Sequence, residues 1–578
     1  MGMFGMRMVC CFGVVVLGLW LTIAPRAQPA AVVMAGLDAG VDGVDAGEVL
    51  LSELNCAACH APASQVVGRL LPNSGPRLGE VASRVRPDFL RAWLRNPSRE
   101  KPGTLMPDLF HSLAEAERED TVNDVVQFLR SLAPAARVEP VLLNRIAFEQ
   151  GRVLYHRIGC VACHPPREPA AVLFPGATGP KQPDTIRFVM AKLEQTSVPL
   201  PNLTAKYPSG ALEQFLLDPV TVRPTGRMPS LNLTTNEARA IATYLSHSGP
   251  GAAPAVRSEP GVNRTAAKRG RQVFASAGCL ACHELDAAGF QELSRLTAKP
   301  LAALVADRPD GCLGEAPGKG IPRFQLSPAQ RHALRSTIAR LSDLDQPVSV
   351  ARELATRMTA FNCYACHSRD GFGGPSPSRS DYFSSMDGTD PGDEGRVPPH
   401  LSGVGAKLLP DWLGEVLTNR GAVRPYMAVR MPQHGAANVG GWVARFVAAD
   451  SRSPVEPQLE EPGRIEVGRT LVGTGGCACI SCHRFGPYRS AGLDVMDLTV
   501  TARRLQRDWF RRYLLDPSSL RPGTRMPMFW PDGESMFKAI LGGNTERQID
   551  SIWRYLSEGT NAIPPIGIPE NASTPVLR

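Results

Sequence analysis

The 578-residue chain contains no nucleophile elbow, no phosphate loop and no dinucleotide fingerprint, so no recognisable substrate-processing motif accounts for it. Apolar runs are equally scarce. Only residues 8–24 approach the length of a membrane span, and nothing later is apolar enough to cross a bilayer. Cysteine outside one recurring pattern is confined to Cys10, Cys11, Cys312 and Cys477, too few for a disulfide framework. Methionine is missing altogether between Pro229 and Arg357, although it recurs at matched places elsewhere.

The other ten cysteines stand in five Cys-x-x-Cys-His pentads: Cys56, Cys59 and His60; Cys160, Cys163 and His164; Cys279, Cys282 and His283; Cys363, Cys366 and His367; Cys479, Cys482 and His483. This is the pattern of covalent c-type haem attachment. Two cysteines three apart share one side of a helical turn and can both add to the porphyrin's vinyl groups, and the next residue, histidine, then serves as proximal iron ligand. No pairing of knuckles supports a zinc reading. The expected cofactors are therefore five covalently attached haem c groups.

The N-terminal apolar run follows Arg7 and precedes candidate cleavage sites such as Val33-Met34-Ala35. It reads as an export signal over residues 1–35, with an uncleaved anchor as the alternative. The formal charge of +8 could suggest an acidic partner, but ionised haem propionates would offset much of it. Most of the arginines are better read as propionate partners and solvated surface than as a nucleic-acid interface.

Internal similarity organises the rest. A short helical approach, usually with a glycine (Gly47, Gly151, Gly270, Gly468), leads into each pentad; the fourth copy lacks the glycine. Each copy closes with an amphipathic helical pattern, at 120–132, 236–246, 327–342, 438–449 and 546–557. Between them lies a loop bearing Met-Pro: Met106-Pro107, Met228-Pro229, Met431-Pro432 and Met526-Pro527. A thioether suits the distal side of a low-spin haem, and recurrence in four copies marks Met106, Met228, Met431 and Met526 as axial ligands. Met427 is the one competitor, without a following proline.

The third copy breaks this pattern. Gly320-Ile321-Pro322-Arg323 falls where Arg227-Met228-Pro229-Ser230 stands in the second, so Ile321 occupies the ligand position. That leaves an open or water-bound site, or a donor such as Cys312 or Lys319; His332 reads as a surface residue. Cys477 could replace Cys479 in a wider pentad, or pair with Cys312 in a disulfide. Asp387, Asp390, Asp393 and Glu394 cluster without the spacing of a calcium loop and read as solvated. His111 and His434 follow Met-Pro segments and read as exposed.

Each copy resembles a class I cytochrome c domain, with its approach helix, pentad, Met-bearing loop and closing helix. The chain as a whole is similar to multihaem c-type cytochromes built from several such domains. The resemblance implies an all-α fold, a tandem array of five cytochrome c-like domains with covalent haem at 44–135, 141–248, 263–345 (lacking the Met ligand), 346–450 and 463–560, and a disordered tail at 561–578. It implies a proline carbonyl orienting each proximal histidine, matched by Pro76, Pro201 and Pro399, whereas the fifth copy has Met496 there. It further implies export to the periplasm, electron transfer along a chain of haems, and redox partner proteins such as other cytochromes or an exported dehydrogenase. The alternatives are a peroxidase-like haem enzyme with its open site at the third haem, or the cytochrome subunit of an exported dehydrogenase. The distal side of that site offers only Arg323 as a candidate acid-base partner.

Overall fold

The computed structural model describes residues 37, 44–133, 143–174, 197–248, 261–285, 298–385, 392–419, 424, 426–453, 459–490 and 492–568. Residues 1–36 with Cys10 and Cys11, most of the proline-rich joints, Asp387, Asp390 and residues 569–578 lie outside them.

The described chain is all-α apart from a two-residue hairpin, β1 (Ser368–Arg369) with β2 (Phe372–Gly373). Among the described residues, fourteen helices have seven or more residues. In chain order they are α1 (Ala46–Glu53), α2 (Pro87–Arg95), α3 (Glu115–Ser131), α4 (Arg145–Arg157), α5 (Ala211–Leu217), α6 (Thr235–His247), α7 (Arg264–Ser276), α8 (Pro328–Ala339), α9 (Val350–Ala360), α10 (Pro410–Thr418), α11 (Trp442–Asp450), α12 (Ile465–Val472), α13 (Arg507–Leu515) and α14 (Thr545–Ser557). Local chemistry sets their starts. Asp45, Asn144, Asn263, Ser349 and Asn544 accept hydrogen bonds from first-turn amides, while Thr234 and Ser327 form full capping boxes with Glu237 and Gln330. Proline opens α2, α8 and α10, where its missing N–H costs nothing.

The approach helices cross the closing helices at glycines. A Cβ at Gly151 would strike the Ala240 carbonyl of α6, and one at Gly468 would strike the Ser551 carbonyl of α14. Only glycine permits this spacing. In the fourth segment, where α9 lacks the glycine, Gly405 provides the same close approach against Phe446 of α11.

The first and third segments do not close on themselves. Gly47 of α1 lies against Ala333 and Thr337 of α8, and Gly270 of α7 lies against Asp124 of α3. Buried Val49, Leu50 and Leu51 share a core with Leu334 and Ile338, whereas Phe274 packs with Val122, Val125 and Phe128. Each approach helix has thus crossed to the other segment's closing helix. Polar contacts fit the exchange: Arg269 clamps Asp124 at 2.7 Å, and Thr337 donates to Asp45 at 2.8 Å. Contiguous units at 44–135 and 263–345, as read from the sequence, are replaced by an intertwined pair. The physical reason is that equivalent helices present equivalent faces, so either closing helix can accept the glycine crossing and side contacts such as Arg269 with Asp124 decide between them.

The second segment has its own core around Tyr155, Ile241 and Tyr244, while the fourth and fifth share one running from Leu354 through Trp412 and Trp509 to Tyr555. The chain after α14 is not a loose tail up to residue 568. Tyr555 donates to the Ile563 carbonyl, Arg469 to that of Pro564 at 2.8 Å, and Thr474 to that of Ile566 at 2.9 Å.

Candidate functional site

All five pentads adopt one local geometry, a 3₁₀ turn starting on the first cysteine: Cys56–Ala58, Cys160–Ala162, Cys279–Ala281, Cys363–Ala365 and Cys479–Ser481. In that geometry side chains three apart eclipse, which brings the two cysteines onto one side. The residue ahead has a positive φ in every case, at 53° for Asn55, 120° for Gly159, 72° for Gly278, 57° for Asn362 and 51° for Ala478. Asparagine and glycine tolerate this region, which explains them at four of the five positions.

In the fifth pentad the same turn begins on Cys479 and not on Cys477. The amides of Cys482 and His483 donate to Cys479 at 3.2 and 2.9 Å, as those of Cys59 and His60 donate to Cys56. Cys477 is buried outside the turn and hydrogen-bonded to Cys479, which holds the Cys479 thiol below its usual range. Cys312 lies elsewhere, within electrostatic reach of Cys56 and Cys59, and both spare cysteines are free thiols; the disulfide between them is not formed.

Every pentad histidine has its Nδ1 on a backbone carbonyl. The partners are Lys299 for His60 at 2.8 Å, Val198 for His164 at 3.0 Å, Pro76 for His283 at 2.8 Å, Pro399 for His367 at 2.7 Å and Met496 for His483 at 3.0 Å. A carbonyl only accepts, so Nδ1 carries the proton and Nε2 keeps its lone pair for a metal. Burial favours the neutral ring, pushing His164 down to about 4 and lowering His283, His367 and His483. Of the three prolines expected to play this part, Pro399 does so for its own segment. Pro76 serves His283 instead of His60, and Val198 replaces Pro201. Met496 fills the role in the fifth segment because a backbone carbonyl works whatever its side chain.

The exchange of helices reassigns the distal loops. Met106 packs in the core that contains Phe274, Cys279 and Leu280, and its Sδ accepts from Trp93 Nε1 at 2.9 Å. The loop bearing Ile321 belongs with Cys56 and His60, since Phe324, Leu313 and Leu326 pack on the α1 core. The methionine-less distal loop therefore faces the first pentad and not the third. Lys319 and Arg323 are exposed, as is His332, leaving Cys312 as the one heteroatom donor of that loop beside Cys56.

Met431 and Met526 pack on the shared core of the last two segments, and Met228 is half-buried. Met427 instead lies in a bridge with Ser385. Met106 and Met526 share a turn in which Thr104 or Thr524 accepts from the methionine amide, each at 3.2 Å.

Two residues beyond Met106, Met228, Met431 and Ile321, the loops pair with one another. Asp108 exchanges backbone hydrogen bonds with Arg323 at 2.9 and 3.1 Å, and Ser230 with Gln433 at 2.9 and 2.7 Å. His111 and His434, read as exposed, latch these contacts: His111 Nε2 meets the Ile321 carbonyl and His434 Nδ1 the Gly226 carbonyl, both at 2.9 Å. His434 is buried, and Arg227 stacks 4.1 Å over Phe361 while pairing with buried Glu53 at 2.8 Å.

Two clusters of crowded cations adjoin the pentads. Lys101 and Lys206 are pushed down to about 7 by burial, with Arg223 acting on both; burial also lowers Arg84 and Arg223. The mirror group is Arg424, Lys407, Arg504 and Arg521, with Lys407 held well below its usual value and Arg504 at about 10, again by burial first. Glu394, which reads from sequence as part of a solvated loop, accepts from Arg521 at 2.7 Å within this second group. Residue type alone does not single these cations out from the other arginines and lysines, yet a repeated signal points to half of them: Lys101-Pro102, Arg223-Pro224, Arg424-Pro425 and Arg521-Pro522 each precede a Met-Pro loop.

No known family pattern, curated protein or solved structure matches the chain. Among the described residues, no cluster of three or more His, Cys, Asp or Glu could hold a bare metal ion, and no helix is long and apolar enough to cross a membrane.

Proposed function

We propose that the chain is an exported pentahaem c-type cytochrome, an array of class I cytochrome c-like units that carries electrons between redox partner proteins. The observation that carries this reading is the fivefold repetition of one constellation: a cysteine pair on a 3₁₀ turn, followed by a histidine whose Nδ1 is tied to a carbonyl.

The residues fit haem in three respects. The cysteine pairs can form two thioethers each, the Nε2 lone pairs suit iron, and the cation clusters offer positive charge where propionates need it. In the quartet Arg84, Lys101, Lys206 and Arg223, Glu80 beside Arg84 is the only carboxylate acting on the group among the described residues. Crowding like charges without counter-ions is costly, and bound carboxylates relieve it.

When bound, haem supplies one-electron chemistry. The protein's part is to hold the ring by Cys56 and Cys59, Cys160 and Cys163, Cys279 and Cys282, Cys363 and Cys366, and Cys479 and Cys482. His60, His164, His283, His367 and His483 would offer Nε2 to the iron, and Met106, Met228, Met431 and Met526 would offer the thioethers that raise four of the potentials. A redox titration of the holoprotein followed by visible absorption tests this. Four sites at the raised potentials of His/Met ligation and one distinct site support it; a protein with no haem absorption refutes it.

A second reading is a peroxidase-like centre at the methionine-less site. Ile321, in a loop whose Leu313, Phe324 and Leu326 pack on the α1 core, is the observation that favours it. Electron loss from the reduced protein to peroxide that is no faster than in Ile321→Met removes this reading.

A further inference from the structure

The contacts between pentads alternate between two kinds. On the cysteine side, Gly75 of the first segment donates to the Cys282 carbonyl at 2.7 Å, and the Cys282 side chain lies within electrostatic reach of Asn55, Cys56 and Cys59, so the first and third pentads adjoin. In the same way Asn362 Nδ2 meets Cys163 Sγ at 3.3 Å, and Cys363 and Cys366 lie within reach of Cys163, so the second and fourth touch. These two asparagines occupy the same place, one residue ahead of a pentad.

On the other side stand the cation quartets, each built from two segments. The first segment gives Arg84 and Lys101, the second Lys206 and Arg223. They are locked together by Arg86 N–H donating to the Lys206 carbonyl at 2.8 Å. Arg223 acts on both His164 and His283. The fourth segment gives Lys407 and Arg424, the fifth Arg504 and Arg521, locked by Gln506 N–H donating to the Lys407 carbonyl at 2.9 Å. Arg424 acts on His367, and Arg504 on His483. Arg86 and Gln506 each follow the segment's first cation by two residues, so the two interfaces are built alike.

We propose that each quartet holds carboxylates of two neighbouring haems, and that the five sites form one line in the order His60, His283, His164, His367, His483. Chain order is not spatial order. The exchanged helices put the third site between the first and second, and the methionine-less site becomes one terminus with His483 the other. This rests on the pentahaem reading. Each passage moves one electron: a site is oxidised as its neighbour is reduced, no bond is made and no proton is required. External one-electron donor and acceptor proteins meet the two ends.

The test is a spectroelectrochemical titration of holoprotein bearing Lys206→Gln, and separately Lys101→Gln. The sites are assigned by Met106→His for His283 and Met228→His for His164, each of which lowers its own midpoint. Loss of positive charge beside ionised propionates lowers the midpoints of haems that share the quartet. Either lysine variant should lower the same two midpoints, those of His164 and His283, and leave the other three in place. A shift confined to one site, or shared with His60 or His367, overturns the line while leaving five haems and the pentahaem reading intact. Absence of haem from the wild type overturns both.

Discussion

Pro76 gives its carbonyl to His283 at 2.8 Å across 207 residues of chain, and the ring of His60, only sixteen residues before that proline, turns instead to Lys299. The same exchange places Met106 with the third pentad. Met106→Ala should therefore remove the distal ligand of the His283 site and lower that site's midpoint, leaving the His60 site unchanged. Resonance Raman and redox titration of the variant, with Ile321→Met as the counterpart acting on the His60 site, check the assignment. An effect of Met106→Ala on the His60 site would restore contiguous units.

The helix crossing carries its own expectation. A methyl at Gly270 would strike the Asp124 carbonyl of α3, so Gly270→Ala should cost about 1–3 kcal/mol, the range for overpacking a close contact. A methyl at Gly68 would meet no other group within 4 Å, and Gly68→Ala should stay within about 0.5 kcal/mol. Denaturant unfolding of the two variants measures both; equal stabilities would mean that α7 does not lie on α3.

Acid should loosen the contact between the second and fourth segments. Arg430 donates to both carboxylate oxygens of Glu237, at 3.0 and 2.6 Å, and this holds the Glu237 carboxyl below its usual 4.5. Because the folded value is depressed, the stabilisation is complete above the unfolded value and is lost as pH falls through the folded one. Glu237→Gln should destabilise by about 1 kcal/mol at pH 7, with the difference vanishing in acid. A difference that persists unchanged near pH 2 would contradict the ion pair.

In the fifth pentad, Cys477→Ala should leave haem attachment complete, whereas Cys479→Ala should remove one thioether. Tryptic peptide mass spectrometry of the two holoproteins distinguishes them. A haem lost with Cys477 would show that the wider spacing is used.

Helices, pentads and the distal loops were legible in the sequence because each depends on residues close together in the chain. Caps such as Asn144 and Ser327, the glycines at the crossings and the cysteine–histidine spacing are all local signals. Partner choice was not legible. Gly47 and Gly270 offer the same crossing surface, and only contacts such as Arg269 with Asp124 separate one closing helix from another. Backbone acceptors were partly legible: Pro399 could be matched by position, but Val198, Lys299 and Met496 act through carbonyls that their side chains do not announce. His434 and Glu394 escaped because their partners, the Gly226 carbonyl and Arg521, lie more than a hundred residues away.

The most direct measurement is the intact mass of the holoprotein, with haem-bearing peptides mapped after digestion. Five haems are expected, one on each of the peptides containing Cys56, Cys160, Cys279, Cys363 and Cys479. Fewer than five, or a pentad peptide that stays unmodified in fully loaded protein, would contradict the pentahaem reading.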